Sequence, residues 1–90
     1  MRLVGRERLD RLRGQGEVID RWMRSWAAEV LAAHWKRPSD VKDQFPNARR
    51  LGEDHFIFPV SGCGLAIWLQ IAFPQGIALI TDLKADNESH

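Results

Sequence analysis

The sequence contains a single cysteine, Cys63, and no apolar run long enough to cross a membrane. One thiol excludes an internal disulfide and is typical of a protein in a reducing compartment. A membrane-spanning helix needs about 20 consecutive apolar residues, so we expect no membrane segment. The first residues, Met1 to Glu7, lack the apolar stretch of a secretory signal. Together these features predict a cytoplasmic protein.

The sequence also lacks the common motifs for metals, cofactors and nucleophiles. Its three histidines and its cysteine are scattered and do not have the spacing of metal ligands. The glycines around Gly62 fall in a predicted hairpin turn rather than before a helix, so they do not form a phosphate-binding loop. We therefore expect neither a metal nor a cofactor.

The charges are unevenly distributed, although the net charge is only +1. The N-terminal part is rich in arginine: Arg2, Arg6, Arg8, Arg11, Arg13, Arg21 and Arg24. Because guanidinium groups bind phosphates through two parallel hydrogen bonds, this composition favours RNA binding. A solvated helix face, partly paired with neighbouring acidic side chains, is an equally good interpretation. The 44% of hydrophobic residues predicts one folded domain over residues 1–90.

The N-terminal half has the patterns of helices. A short strand over Arg2–Val4 precedes a short helix over Glu7–Arg13. The clearest helix runs from Val18 to His34, and a shorter one over Ser39–Phe45 follows Pro38. The apolar residues of the long helix recur at helical spacing: Val18, Ile19, Trp22, Met23, Trp26, Val30 and Ala33.

The C-terminal half has the two-residue period of strands. Strands are predicted over His55–Val60, Leu65–Phe73 and Ile77–Thr81, and residues 85–90 read as a polar tail. In the middle strand Ala66, Trp68, Gln70 and Ala72 face away from the core. The order of elements predicts an α+β fold, with the N-terminal helices packed on one face of a small antiparallel β-sheet.

The segment from Trp35 to Ala48, WKRPSDVKDQFPNA, gives the first sign of a family. It has a Trp, a basic residue, Pro, Asp, an apolar residue, Lys, an aromatic residue, Pro and Ala in an order that resembles the HigB branch of the RelE-like toxins. Leu51-Gly52, Phe56-Ile57-Phe58, the hairpin at Gly62 and the two apolar strands continue the resemblance. It extends over nearly the whole chain, from about Leu3 to Thr81.

This resemblance implies a RelE-like two-layer fold and an endoribonuclease that cleaves mRNA on the ribosome. In such toxins the 2′-hydroxyl of a nucleotide attacks the neighbouring phosphate. The reaction needs a base, a positive charge and an acid. The resemblance further implies a helix-turn-helix antitoxin of the HigA type as partner, and a toxin–antitoxin heterotetramer.

The chain departs from the family where the chemistry is concentrated. An Arg of the family corresponds to Ala66, and another often corresponds to His55. The family's C-terminal His and Tyr are missing from Lys84–Ser89, and the chain contains no Tyr. Loss of one charge stabiliser slows comparable reactions by about 10²–10³-fold.

Three hypotheses about function follow. The first is an active interferase in which His55 serves as base or acid, because imidazole titrates near neutral pH. The second is a catalytically degenerate toxin that binds RNA, the ribosome or an antitoxin without cleavage. The third is an interaction module of other function, with an apolar patch around Trp68. The residues predicted to bind RNA or phosphate are Lys36, Lys42, Arg49, Arg50, Trp68 and Lys84.

Overall fold

The computed structural model describes residues 1–60 and 62–85. Within these ranges the chain forms three helical segments and five strands. In chain order they are β1 (Arg2–Val4), a 3-10 helix (Arg6–Leu12), α1 (Glu17–Ala32), α2 (Pro38–Gln44), β2 (Arg49–Arg50), β3 (His55–Pro59), β4 (Leu65–Ala72) and β5 (Ile77–Ala85). The prediction of an α+β fold is confirmed.

The five strands form one sheet in the order β1-β5-β4-β3-β2. Strands β2 to β5 pair antiparallel, as predicted, but β1 pairs parallel to β5. The prediction of a purely antiparallel sheet is therefore wrong. The reason is topological: the helices and three strands separate β1 from β5, so β1 joins the far edge of the meander as a non-local partner.

The turn after β1 depends on Gly5, whose φ of 86° lies in the left-handed region. A Cβ atom at this position would lie 2.8 Å from the carbonyl oxygen of Ile80 on β5. Only glycine avoids both the backbone strain and this clash. Gly5 thus allows the chain to leave β1 close against the sheet and enter the 3-10 helix.

The last strand is longer than predicted, since β5 continues through Ala85 rather than ending at Thr81. Leu69 pairs with Ile80 while the preceding Trp68 pairs with Asp82, which leaves one extra residue in β5 and forms a β-bulge. The bulge shifts the alternation, so the next buried position after Ile80 is Leu83. Ala85 therefore belongs to the sheet, and the rest of the predicted tail, residues 86–90, lies outside the described residues.

The helices pack against one face of the sheet. Val41 of α2 and Trp26 and Val30 of α1 join Phe56, Phe58 and the inward residues of β4 and β5 in one apolar cluster. Trp26 is 1% exposed; its ring stacks on that of Trp22 and meets the edge of Phe58. The predicted apolar stripe of α1 is confirmed except at its first residue, Val18. This residue is 68% exposed because it lies in the first turn.

The connection between α1 and α2 is fixed by Trp35 and Pro38. Ala33 leaves the helical conformation, and Pro38 occupies the start of α2, where its missing N–H costs nothing. The indole Nε1 of Trp35 donates a hydrogen bond of 2.9 Å to Gln44 Oε1 at the end of α2. Trp35 is buried, so it ties both helices to the core. In the described ranges, no helix has the length and apolar character of a membrane span.

Candidate functional site

The side of the sheet opposite the helices, here called the open face, is defined by the strand register. One row across it contains His55, Gln70 and Leu79. Three further rows lie on the open face: Arg49-Ile57-Trp68-Asp82, Pro59-Ala66-Lys84 and Ala72-Ile77-Arg2. Gln70, Leu79 and Lys84 are exposed, so this side of the sheet is accessible.

His55 is held in the middle of the open face by Thr81 of the bulge. Its Nε2 lies 3.2 Å from Thr81 Oγ1, and both side chains are half-buried. The hydroxyl of Thr81 in turn donates a hydrogen bond of 3.3 Å to the backbone carbonyl of Trp68. These contacts join β3, β4 and β5, and they hold the imidazole in place on the open face.

Lys84 supplies positive charge to the same face. Its Nζ lies 4.6 Å from the centroid of the Trp68 ring, within the range of a cation–π contact. Asp82 Oδ2 lies 3.9 Å from the same ammonium, but both side chains are about half exposed, so this ion pair is weak. The ammonium is thus positioned by the ring and is still accessible to an anion.

Ala66 lies at the centre of the sheet and is fully buried between its neighbours. It is the cross-strand partner of Lys84 on one side and of Pro59 on the other. The methyl side chain leaves the open face without a cation on β4 at this position. Lys84 therefore places a positive charge on the strand next to Ala66.

A family-model match identifies the kind of protein to which this open face belongs. A model described as HigB toxin, the RelE-like toxic component of a toxin–antitoxin system, matches residues 20–88. The chain belongs to the HigB toxin family. It is thus a toxin of a toxin–antitoxin system, and an antitoxin is its implied partner. No curated protein sequence matches the chain.

The HigB match begins at Asp20 and therefore leaves out β1 and the 3-10 helix. It includes every residue of the open face from Arg49 to Lys84. Family membership favours the two toxin hypotheses over an interaction module of unrelated function. The family's C-terminal positions beyond Ala85 fall outside the described residues.

The structure brings together four of the residues predicted for the HigB site. His55, Trp68 and Lys84 lie on the open face, and Arg49 lies in the same row as Trp68 on the edge strand β2. Arg50 alternates to the other side, because its partner Phe56 is in the core. Its Nε donates a hydrogen bond of 2.6 Å to the Gly52 carbonyl.

Two predicted RNA-binding lysines belong to the helical layer instead. Lys42 lies on α2, and its ammonium donates hydrogen bonds to the carbonyls of Pro46, at 3.2 Å, and Ala48. Lys36 lies between α1 and α2, with its backbone N–H donating to Asp40 Oδ2 at 2.9 Å. The structure therefore separates both lysines from the imidazole of His55.

Sequence reasoning missed Thr81 and Asp82 as members of the site. Thr81 was the last residue of the predicted strand, and Asp82 follows the bulge, which breaks the two-residue period of β5. No motif in the sequence indicates the bulge. The only available signal was the polar pair Thr81-Asp82 inside an otherwise apolar strand.

A cavity of about 260 Å³ on the helical side is a poorer candidate for RNA chemistry. It lies between α1 and the loop after α2, and most of its wall consists of aromatic and proline side chains. Glu29 is the one ionisable residue that lines it. The described residues also contain no cluster of His, Cys, Asp and Glu that would hold a metal ion.

Proposed function

We propose that this HigB-family toxin is a ribosome-dependent mRNA interferase, an endoribonuclease that acts in the cytoplasm. The observation that carries the proposal is the joint position of His55, Lys84 and Trp68 on the open face. An imidazole can serve as the base and a lysine as the positive charge for RNA cleavage by an internal hydroxyl, and an aromatic ring can stack on a base of the RNA.

In the proposed reaction His55 removes the proton from a 2′-hydroxyl. The freed oxygen forms a bond to the adjacent phosphorus while the bond from phosphorus to the 5′-oxygen of the next nucleotide breaks. The products are a 2′,3′-cyclic phosphate and a 5′-hydroxyl, whose oxygen takes up its proton from water, and His55 returns the proton it removed to the solvent. Lys84 stabilises the charge that builds on the phosphate oxygens.

Trp68 and Arg49 have supporting roles in this proposal. The Trp68 ring is half-buried and orients Lys84, and its remaining exposed surface is available for stacking on a base. Arg49 lies two strands away from Trp68 in the same row, where a guanidinium would contact a neighbouring phosphate. Arg50, Lys36 and Lys42 would contact RNA or ribosome only outside the catalytic face.

The proposed partners are mRNA, the ribosome and an antitoxin. We propose a helix-turn-helix antitoxin of the HigA type and a toxin–antitoxin heterotetramer, on the basis of family membership. The antitoxin would neutralise the toxin either by covering the open face or by excluding the chain from the ribosome.

The test is induced expression in a bacterial host with and without the antitoxin, with growth scored and the 5′ ends of cellular mRNA mapped. We expect growth arrest and new ends within translated frames. His55→Gln should remove both effects. The matched control is His34→Gln, because His34 is exposed at the end of α1 and lies outside the open face. Full toxicity of His55→Gln would remove His55 from the mechanism.

A second candidate function is binding without cleavage, and specific observations favour it. Ala66 offers no cation, and the full sequence contains no Tyr that could serve as acid. A degenerate toxin of this kind would associate with ribosomes or an antitoxin and leave mRNA intact. Normal growth and intact messages, from protein shown to be folded and to co-sediment with ribosomes or antitoxin, would support this alternative.

A further inference from the structure

The bulge in β5 brings a hydroxyl to the candidate base. Thr81 is the extra residue between Ile80, which pairs with Leu69, and Asp82, which pairs with Trp68. β-Bulges redirect side chains and occur often beside active sites. Here the hydroxyl of the bulge residue lies 3.2 Å from His55 Nε2.

This contact crosses a whole strand. His55 is on β3 and Thr81 on β5, and β4 lies between them. Strands on either side of a central strand are roughly 9–10 Å apart, so side chains from both must reach inward to meet. Thr81 follows the exposed Leu79 by two residues, so its side chain is on the open face, where the imidazole reaches its hydroxyl.

The direction of the hydrogen bonds follows from the chemistry of the three groups. A carbonyl oxygen only accepts, so Thr81 uses its single proton to donate to the Trp68 carbonyl at 3.3 Å. Its oxygen then accepts from His55, which requires a proton on Nε2. A neutral imidazole carries one such proton, so Nδ1 must hold the lone pair.

We infer that Thr81 is a positioning residue that holds neutral His55 in the Nε2–H tautomer and leaves Nδ1 as the proton acceptor. The inference deepens the proposed function and rests on it for one point, the 2′-hydroxyl as the group that Nδ1 deprotonates. The fixed tautomer itself depends only on the geometry of His55, Thr81 and the Trp68 carbonyl.

Nitrogen NMR of the isolated full chain tests the tautomer. Two-bond correlations from the ring hydrogens distinguish protonated from unprotonated imidazole nitrogens, at about pH 8.5, where histidine side chains are neutral. The spectrum of His55→Gln assigns the His55 signals. We expect a protonated Nε2 and an unprotonated Nδ1 in the wild type and in Thr81→Ser, and a mixture of tautomers in Thr81→Val. Thr81→Ala removes the same hydroxyl with a smaller side chain if valine disturbs β5.

A protonated Nδ1 in the wild type would overturn the inference, as would an unchanged tautomer in both Thr81→Val and Thr81→Ala. Cleavage measurements add a second readout. Thr81→Val should slow the cleavage step by about 10-fold or more and leave ribosome binding unchanged. The upper limit of the effect is the whole contribution of a positioned acid–base group, about 10²–10⁴-fold. Thr81→Ser should restore the rate.

The two proposals fail in distinguishable ways. A chain that cleaves no mRNA, with the Nε2–H tautomer in the wild type and a changed tautomer in Thr81→Val, supports the role of Thr81 and contradicts the interferase. A wild-type chain that cleaves mRNA, with a tautomer independent of Thr81, supports the interferase and contradicts the role of Thr81.

Discussion

Lys84 is held over the ring of Trp68, with 4.6 Å between its Nζ and the ring centroid. Both residues come from adjacent antiparallel strands, and Lys84 is the direct partner of Ala66. An aromatic ring attracts a cation through its quadrupole, which lowers the mobility of a lysine without neutralising it. The open face thus has a positioned cation next to a strand position that carries only a methyl group.

The first prediction concerns this cation. Lys84→Met should lower mRNA cleavage by about 10²-fold, because the phosphate charge loses its stabiliser, while Lys84→Arg keeps most of the activity. The measurement is cleavage of a translated message on purified ribosomes. Arg37→Met is the matched control, since Arg37 is an exposed cation at the start of α2 in the helical layer. Equal activity of Lys84→Met and the wild type would exclude Lys84 from the reaction.

The faces of β3 and β4 could be predicted from the sequence because they follow a strict two-residue period. Phe56, Phe58, Ile67, Leu69 and Ile71 are all in the core, as the alternation requires. Burial on one side of a regular strand is a local property, so a pattern of single residues is sufficient to find it.

The parallel pairing of β1 and the bulge at Thr81 could not be predicted. The pairing of Leu3 with Ala78 depends on the path of the whole chain between them and has no local pattern. The bulge adds one residue to β5, and a single insertion shifts every following side chain to the other face. This is why the predicted strand ended at Thr81 and Lys84, although predicted to bind phosphate, was not assigned to a face of the sheet.

A second prediction separates steric clash from backbone strain at two glycines. Gly5 and Gly14 both have positive φ angles, of 86° and 79°. A Cβ at Gly14 would meet nothing within 4 Å, whereas one at Gly5 would approach the Ile80 carbonyl oxygen. Gly14→Ala should therefore cost only the strain of about 1–2 kcal/mol, and Gly5→Ala clearly more. Urea unfolding of both variants gives the comparison; equal losses would mean that β5 moves away from residue 5 at little cost.

The third prediction addresses Lys42, for which RNA binding and a structural role lead to different results. Its ammonium donates to the carbonyls of Pro46 and Ala48, so Lys42→Met should lower the free energy of unfolding by about 1 kcal/mol. Thermal unfolding measures this loss, with Lys36→Met as a control whose side chain is exposed. Unchanged stability together with weaker ribosome binding would instead support the RNA contact.

The last prediction concerns the layer that supports the open face from behind. Trp26 packs between Trp22 and Phe58, and Phe58 lies on the strand that carries His55. Trp26→Ala should destabilise the protein by about 3–5 kcal/mol, because a cavity replaces the largest buried side chain. A domain of this size has a thin core, so this loss should unfold most of the chain at the growth temperature and abolish toxicity.

Val18→Ala on the same helix removes an exposed side chain and should change stability by less than about 0.5 kcal/mol. Chemical unfolding of purified proteins measures both, and a Trp26→Ala protein as stable as Val18→Ala would show that α1 does not anchor the sheet through Trp26.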